Sequence, residues 1–174
     1  MGGSNWINEK THKKFLEQLE LSKVAVWLAA QILEDEGHSP TIHHTKAAPT
    51  HEERGKYSDQ GDISLNETDT VEVKWWSGKK YCFTDRSTWP FPHILVCPAQ
   101  QWKYHKQPVR WMYFNNKLTH YVQFNRDAVD PENIRQVFDG RYKVKRPIIV
   151  ANNSDVLFLP VPSRILLRYN YLKS

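Results

Sequence analysis

Apolar and polar residues alternate along two short neighbouring segments in the first half of the chain. Two apolar residues in each segment alternate with polar ones: Ile63 and Leu65 with Asp62 and Ser64, then Val71 and Val73 with Glu72 and Lys74. Successive side chains of a strand point to opposite faces. The pattern therefore predicts two strands with a buried apolar face, joined through the polar, turn-prone residues 66–69.

A helical pattern precedes this hairpin, over residues 9–36. Its apolar residues recur at helical spacing: Leu21, Val24, Ala25, Leu28 and Ile32. Ser22 favours an interruption, because serine often caps a new helical segment. Gly37 and Pro40 predict the end of the helix.

The rest of the chain is mostly strand-like. Strands are predicted at 41–45, 81–84, 93–97, 109–114, 118–124, 143–150 and 155–159. Residues 109–124 form a second hairpin candidate around Asn115 to Lys117. One further helix is predicted over 131–138, with Asp130 as its cap and Pro131 in its first turn. The order indicates an α/β or α+β fold, with a mixed central β-sheet flanked by helices.

The length of 174 residues suits one domain. We expect a helical segment over about 9–37, a core sheet over about 41–124 and a strand-rich C-terminal part over 125–174. No apolar run is long enough to span a bilayer and no signal peptide is evident, so no membrane partner is expected. Cys82 and Cys97 show no metal-binding spacing and are expected as buried free thiols in the cytoplasm.

Charge adds a candidate partner. The net charge is +5 and the pI is about 9.1, which favours a polyanion such as nucleic acid. Eight histidines raise the question of a zinc site. His43 and His44 are adjacent on a predicted strand, so their side chains would point to opposite faces, and no zinc-binding motif is present.

The hairpin carries the candidate chemistry. A loop of odd length, such as residues 66–68, would set Asp62 opposite Glu72 on one face, with Lys74 beside them. Directly opposed Cβ atoms lie about 4.5–5.5 Å apart, and two carboxylates at that distance repel each other. A bound Mg²⁺ would remove the conflict. The alternative is an exposed hairpin that carries only a salt bridge, and an even loop would spoil the site.

These residues resemble the motif of the PD-(D/E)XK nuclease superfamily. Asp62 matches the first acid, Glu72 the second acid and Lys74 the motif lysine, and the Val73 carbonyl matches a main-chain metal ligand. Gly61 stands where many members have proline. The resemblance covers roughly residues 15–100. It implies a restriction-endonuclease-like fold with extra C-terminal strands.

Many members carry a further acid on the first core helix. Glu20 or Glu17 would supply it here, and the sequence leaves the choice open, with Glu20 taken as the catalytic candidate. The resemblance implies a nuclease that uses Mg²⁺ (or Mn²⁺), most simply a DNA endonuclease, and leaves room for a homodimer. Asp62, Glu72 and Lys74 would be catalytic.

Basic and aromatic residues near the motif would contact nucleic acid. The candidate contacts are Trp76, Lys79, Lys80, Arg86, Lys46, Arg54 and Lys56. Two other functions stay open: an inactive nucleic-acid-binding module, and a protein-interaction or inhibitor domain on the same fold. The sequence does not distinguish DNA from RNA, or endonuclease from exonuclease action.

Overall fold

A long helix, a mixed sheet and a second, smaller sheet make up the described part of the chain. The structure is a computed structural model, and it describes residues 3–43, 53, 62–103, 106–139 and 143–173. The helices are α1 (Gly3–Asp35), α2 (Ala99–Trp102) and α3 (Ser163–Lys173). The strands are β1 (Thr41–Ile42), β2 (Ile63–Ser64), β3 (Thr70–Trp75), β4 (Ile94–Pro98), β5 (Arg110–Phe114), β6 (His120–Asn125), β7 (Val129–Asp139), β8 (Val144–Ala151) and β9 (Leu157–Pro160).

The larger sheet has the strand order β1-β2-β3-β5-β6-β9. The β3–β5 pair is parallel, and the other neighbouring pairs are antiparallel. The smaller sheet is antiparallel, in the order β4-β8-β7. The mixed α/β class predicted from the sequence is therefore confirmed at the level of a mixed central sheet with three helices.

The larger sheet is buried on two sides by different partners. Helices α1 and α3 pack on one face, where Leu28 and Ile165 join Val71 and Phe114 in one apolar cluster. On the other face Trp111 and its neighbours on β5 and β6 share a second cluster with residues of the smaller sheet, such as Ile94. The β3–β5 pair thus lies between two cores.

Helix α1 is continuous through the predicted interruption. Its buried stripe includes Ala25, Leu28 and Ile32, as the helical spacing predicts. The Ser22 hydroxyl donates to the Leu19 carbonyl at 2.7 Å instead of capping a new segment, a pattern that helices tolerate. Gly37 follows the helix with φ +89°, which confirms it as the stop.

The helix predicted over 131–138 is wrong, because these residues belong to strand β7. The Asp130 carboxylate accepts from the Glu132 amide at 2.9 Å, which is a local turn and not a helix cap. Pro131 lies where the β7–β8 register shifts, between Val129 and Ile134, on an edge strand. Proline is tolerated there because the ladder needs no donor. Pairing with β8 therefore overrides the local helix signal.

The remaining predictions concern the other strands, the C-terminal part and the two cysteines. The β5–β6 hairpin and the strands near 93–97, 143–150 and 155–159 are present. Residues 81–83 form no strand, and the C-terminal part ends in helix α3, which the sequence reading missed. Cys82 is exposed and Cys97 is half-buried, so the expectation of two buried thiols is wrong for Cys82. No helix among the described residues is long and apolar enough to cross a membrane.

Candidate functional site

The turn between β2 and β3 has an odd number of residues. The Leu65 amide donates to the Asp69 carbonyl at 2.8 Å, which leaves a three-residue loop inside that closing bond. The Asn66 side-chain oxygen accepts from the amides of Thr68 and Asp69, each at 2.8 Å. This Asx-type turn explains the loop length, since asparagine stabilises the turn with its own side chain.

The register of the two strands follows from this turn. Ser64 pairs with Thr70, and Ile63 pairs with Val71, so the next position sets Asp62 opposite Glu72. Ile63, Val71 and Val73 are buried against α1, as predicted. Leu65, also predicted to be buried, is only half-buried at the edge of that cluster. Asp62, Glu72 and Lys74 are half-buried on the other side of the alternation.

Asp62 has a structural contact as well as a candidate role. Its Oδ2 accepts from the Val73 amide at 2.7 Å. Strand β2 begins at Ile63, so this carboxylate takes the place of a backbone acceptor at the end of the ladder. The amide and carbonyl of one strand residue point to the same edge. The Val73 carbonyl therefore points to the side of the strand on which Asp62 lies.

Lys74 is held by groups from two other strands. Its Nζ donates to the Val96 carbonyl on β4 at 3.0 Å. The same nitrogen lies 5.1 Å from the centroid of the Tyr113 ring, within cation–π range. The Lys74 ammonium is therefore held in position on the strand that also carries Glu72.

Two residues that were not predicted from the sequence, Cys97 and Tyr113, lie close to Glu72 and Lys74. Burial raises the pKa of the Cys97 thiol, Lys74 opposes the shift and Glu72 adds to it. Burial also raises the pKa of Tyr113 well above its usual value, with Glu72 and Cys97 as further causes. The Tyr113 hydroxyl is buried without a hydrogen-bond partner in the described structure. The sequence offered no signal for this cluster, because Tyr113 meets β3 through the parallel β3–β5 pairing and Cys97 lies on β4 of the smaller sheet.

His43 flanks the hairpin from strand β1. Its amide donates to the Asp62 carbonyl at 2.9 Å, and its Nε2 lies 2.6 Å from the Ser64 hydroxyl oxygen. His44, its predicted neighbour, lies outside the described residues. His43 thus extends the polar face of the hairpin by one strand.

The structure places the helix acid apart from this polar face. Glu20 is exposed and pairs with Lys23 at 2.6 Å, and Glu17 is exposed as well. Helix α1 packs on the face formed by Val71 and Val73, opposite to the one that carries Glu72. No contact brings Glu20 to Asp62 or Glu72 in the part of the chain that is described.

The predicted nucleic-acid contacts divide into three groups. Lys79 and Lys80 are exposed directly after β3. Arg86 donates to the Pro92 carbonyl at 3.1 Å, and Trp76 packs in an aromatic cluster, with its ring centroid 4.7 Å from that of Tyr81. The third group lies outside the described residues: Lys46, Arg54 and Lys56. Among the described candidates, Lys79 and Lys80 have exposed side chains, and the Lys80 Nζ lies 5.0 Å from the centroid of the Tyr81 ring.

The acidic groups of the hairpin form a small donor set. Within the described ranges, no cluster of three or more His, Cys, Asp or Glu side chains is placed to hold a metal ion. The set here contains two carboxylates, Asp62 and Glu72, and a main-chain carbonyl, Val73. These are all oxygen donors, the type that Mg²⁺ prefers.

Comparison with known proteins does not assign this chain to a family. The chain matches no protein-family model, and no curated protein or solved structure is significantly similar to it. Any statement about function must therefore come from the geometry of the hairpin and its neighbours.

Proposed function

We propose that this protein is a Mg²⁺-dependent nuclease (with Mn²⁺ as a substitute) that hydrolyses phosphodiester bonds, with DNA as the favoured substrate. The observation that carries the proposal is the β2–β3 register. It sets Asp62 opposite Glu72 and leaves Lys74 on the same side of the strand. The net charge of +5 is consistent with a polyanionic substrate.

The arrangement of elements supports a restriction-endonuclease-like fold for the core. A long helix precedes an antiparallel hairpin, and the second strand of that hairpin pairs in parallel with β5. Helix α1 covers one face of this unit, and the candidate residues occupy the other. In the resemblance noted from the sequence, the acid and the acid-x-lysine motif occupy the same two hairpin strands.

The residues present fit a Mg²⁺ ion by their chemistry. Asp62, Glu72 and the Val73 carbonyl would hold it, with the remaining positions left to water and to phosphate oxygens. When bound, the metal would polarise the scissile phosphate and lower the pKa of a coordinated water. Glu20 is not needed in this set, since it pairs with Lys23 on the exposed side of α1.

Lys74 would position the attacking water and offset negative charge in the transition state. The Val96 carbonyl and the Tyr113 ring hold the ammonium before substrate arrives. A fixed donor lowers the entropic cost of reaching the reactive geometry. Lys79 and Lys80 would contact the phosphates next to the bond that is cut.

The test is cleavage of a panel of duplex, single-stranded and branched DNA and of RNA. We expect cleavage with Mg²⁺ or Mn²⁺ and none with EDTA. Glu72→Gln should lose it, since the amide keeps the shape of the side chain but not its charge. Glu67→Gln is the matched control, because Glu67 is exposed in the loop of the same hairpin.

Two results would contradict the proposal. One is the absence of cleavage on every substrate in the panel. The other is equal activity of the Glu72→Gln and Glu67→Gln proteins, since the activity would then come from another site or from a contaminant. Binding of nucleic acid without cleavage would instead favour an inactive binding module.

A further inference from the structure

The β7–β8 hairpin extends beyond the sheet to which it belongs. Strand β4 pairs with β8 only as far as the Pro98–Ile148 pair. The β7–β8 pairing continues past it to the Asp139–Val144 pair. The part of the hairpin over 136–139 and 144–147 is therefore a two-stranded ribbon, which we call the β-ribbon. At about 3.3 Å per residue, each of its four-residue strands is about 13 Å long.

The β-ribbon presents cations and apolar groups together. Lys145 is exposed, and so is Lys143, which directly precedes the returning strand. Phe138 is 62% exposed and Val144 is 45% exposed. A two-stranded hairpin gains little stability by itself. Phe138 belongs to neither of the two apolar clusters of the described residues.

The register divides these groups between two faces. Phe138 pairs with Lys145 on one face, where Gln136 and Pro147 precede them. That face carries no acidic residue. Val137 pairs with Arg146 on the other face. One face of the β-ribbon therefore carries an exposed aromatic side chain, Phe138, directly opposite a lysine, Lys145.

We propose that the β-ribbon binds duplex nucleic acid by entering a groove. The inference deepens the proposed function and rests on its nucleic-acid partner, but not on the metal site. Paired strands lie about 4.8 Å apart, and the major groove of B-DNA, about 12 Å wide, admits a two-stranded ribbon. Lys143 and Lys145 contact backbone phosphates, and Phe138 contacts the base edges.

The experiment measures binding of a labelled DNA duplex in Ca²⁺, which separates affinity from cleavage, at several salt concentrations. The test protein is Lys143→Gln/Lys145→Gln. The matched control is Lys13→Gln/Lys117→Gln, which removes the same charge from exposed positions outside the β-ribbon. Thermal unfolding of each protein confirms that it is folded.

The ribbon variant should bind about tenfold more weakly at moderate salt, and its log–log salt slope should fall by about 1.8, because each phosphate contact contributes about 0.9. The control should change both quantities by much less. Phe138→Ala should weaken binding on the order of threefold with an unchanged slope, since it removes an apolar contact and no charge.

Three outcomes would overturn the inference. If the ribbon variant and its control behave alike while the parent binds and cuts, the groove contact is wrong and the nuclease proposal stands. If the parent binds no duplex, the groove contact is wrong, and the nuclease proposal fails with it only if the parent also cuts no substrate of the panel. If it binds vesicles that contain phosphatidylserine but not the duplex, the basic face serves an anionic membrane instead.

Discussion

The two hairpins that meet at the β3–β5 pair both use an asparagine side chain in the turn but have opposite surroundings. Both turns begin with asparagine, Asn66 in β2–β3 and Asn115 in β5–β6. In β5–β6, Trp111, Met112 and Phe114 are buried on both faces of the strand. In β3, Val71 and Val73 are buried on one face, and the charged Glu72 and Lys74 are half-buried on the other.

Position in the sheet explains this difference. Strand β5 lies in the middle of the larger sheet and between two apolar clusters. Glu72 and Lys74 are the register partners of Trp111 and Tyr113 on β5. The charged residues therefore stand one strand away from a double-sided core. A polar group at that boundary contacts both protein groups and solvent. Polar groups that orient a ligand in a binding site have such surroundings.

The largest expected effect separates activity from stability on the charged side. Glu72→Ala should lower Mg²⁺-dependent cleavage at least ~1000-fold, since it removes one of the two acidic groups proposed to hold the metal. Its free energy of unfolding should stay close to that of the parent, because the side chain serves no apolar cluster. Cleavage assays and urea unfolding on one preparation measure both. Full activity, or a large loss of stability, would contradict the contrast between the hairpins.

The corresponding change in the buried hairpin should do the reverse. Phe114→Ala should lower the free energy of unfolding by about 3–5 kcal/mol, the usual cost of removing a buried aromatic side chain. Phe114 is fully buried and its ring lies 5.4 Å from that of Tyr121. The protein that stays folded at low temperature should still cut. A stability change under ~1 kcal/mol would show that the site collapses easily.

The next prediction concerns Lys74, which lies on β3 but contacts residues of β4 and β5. Lys74→Ala should cut duplex DNA at least ~100-fold more slowly in Mg²⁺, the lower end of typical positioning contributions. It should bind the same duplex nearly as well as the parent in Ca²⁺. Single-turnover rates and titrations decide between the two roles. Weaker binding with an unchanged rate at saturation would make Lys74 a phosphate anchor.

The strands and the hairpin register could be read from the sequence because they depend on local alternation and turn chemistry. Asn66 and the spacing from Asp62 to Glu72 contain that information. The environment of Lys74 could not be read, since Val96 and Tyr113 come from strands distant in the chain. The helix prediction for 131–138 is wrong for the same reason. The local cap signal favours a helix, but pairing with β8, which follows later in the chain, makes the segment a strand.

The smallest expected effect compares the two turn asparagines. The Asn115 side chain is buried, donates to the Phe83 carbonyl at 3.0 Å and accepts from the Thr119 amide at 3.0 Å. Asn115→Ala should lower the free energy of unfolding by about 1–3 kcal/mol, the cost of leaving buried polar groups unsatisfied.

The Asn66 side chain makes similar bonds to backbone amides, but it is exposed. Water can replace these bonds, so Asn66→Ala should cost only about 0.5 kcal/mol. Urea unfolding of the two variants under one condition gives the difference directly. Equal losses would mean that burial does not separate the hairpins. A loss of cleavage in Asn66→Ala with little change in stability would show that this exposed turn sets the Asp62–Glu72 register for activity.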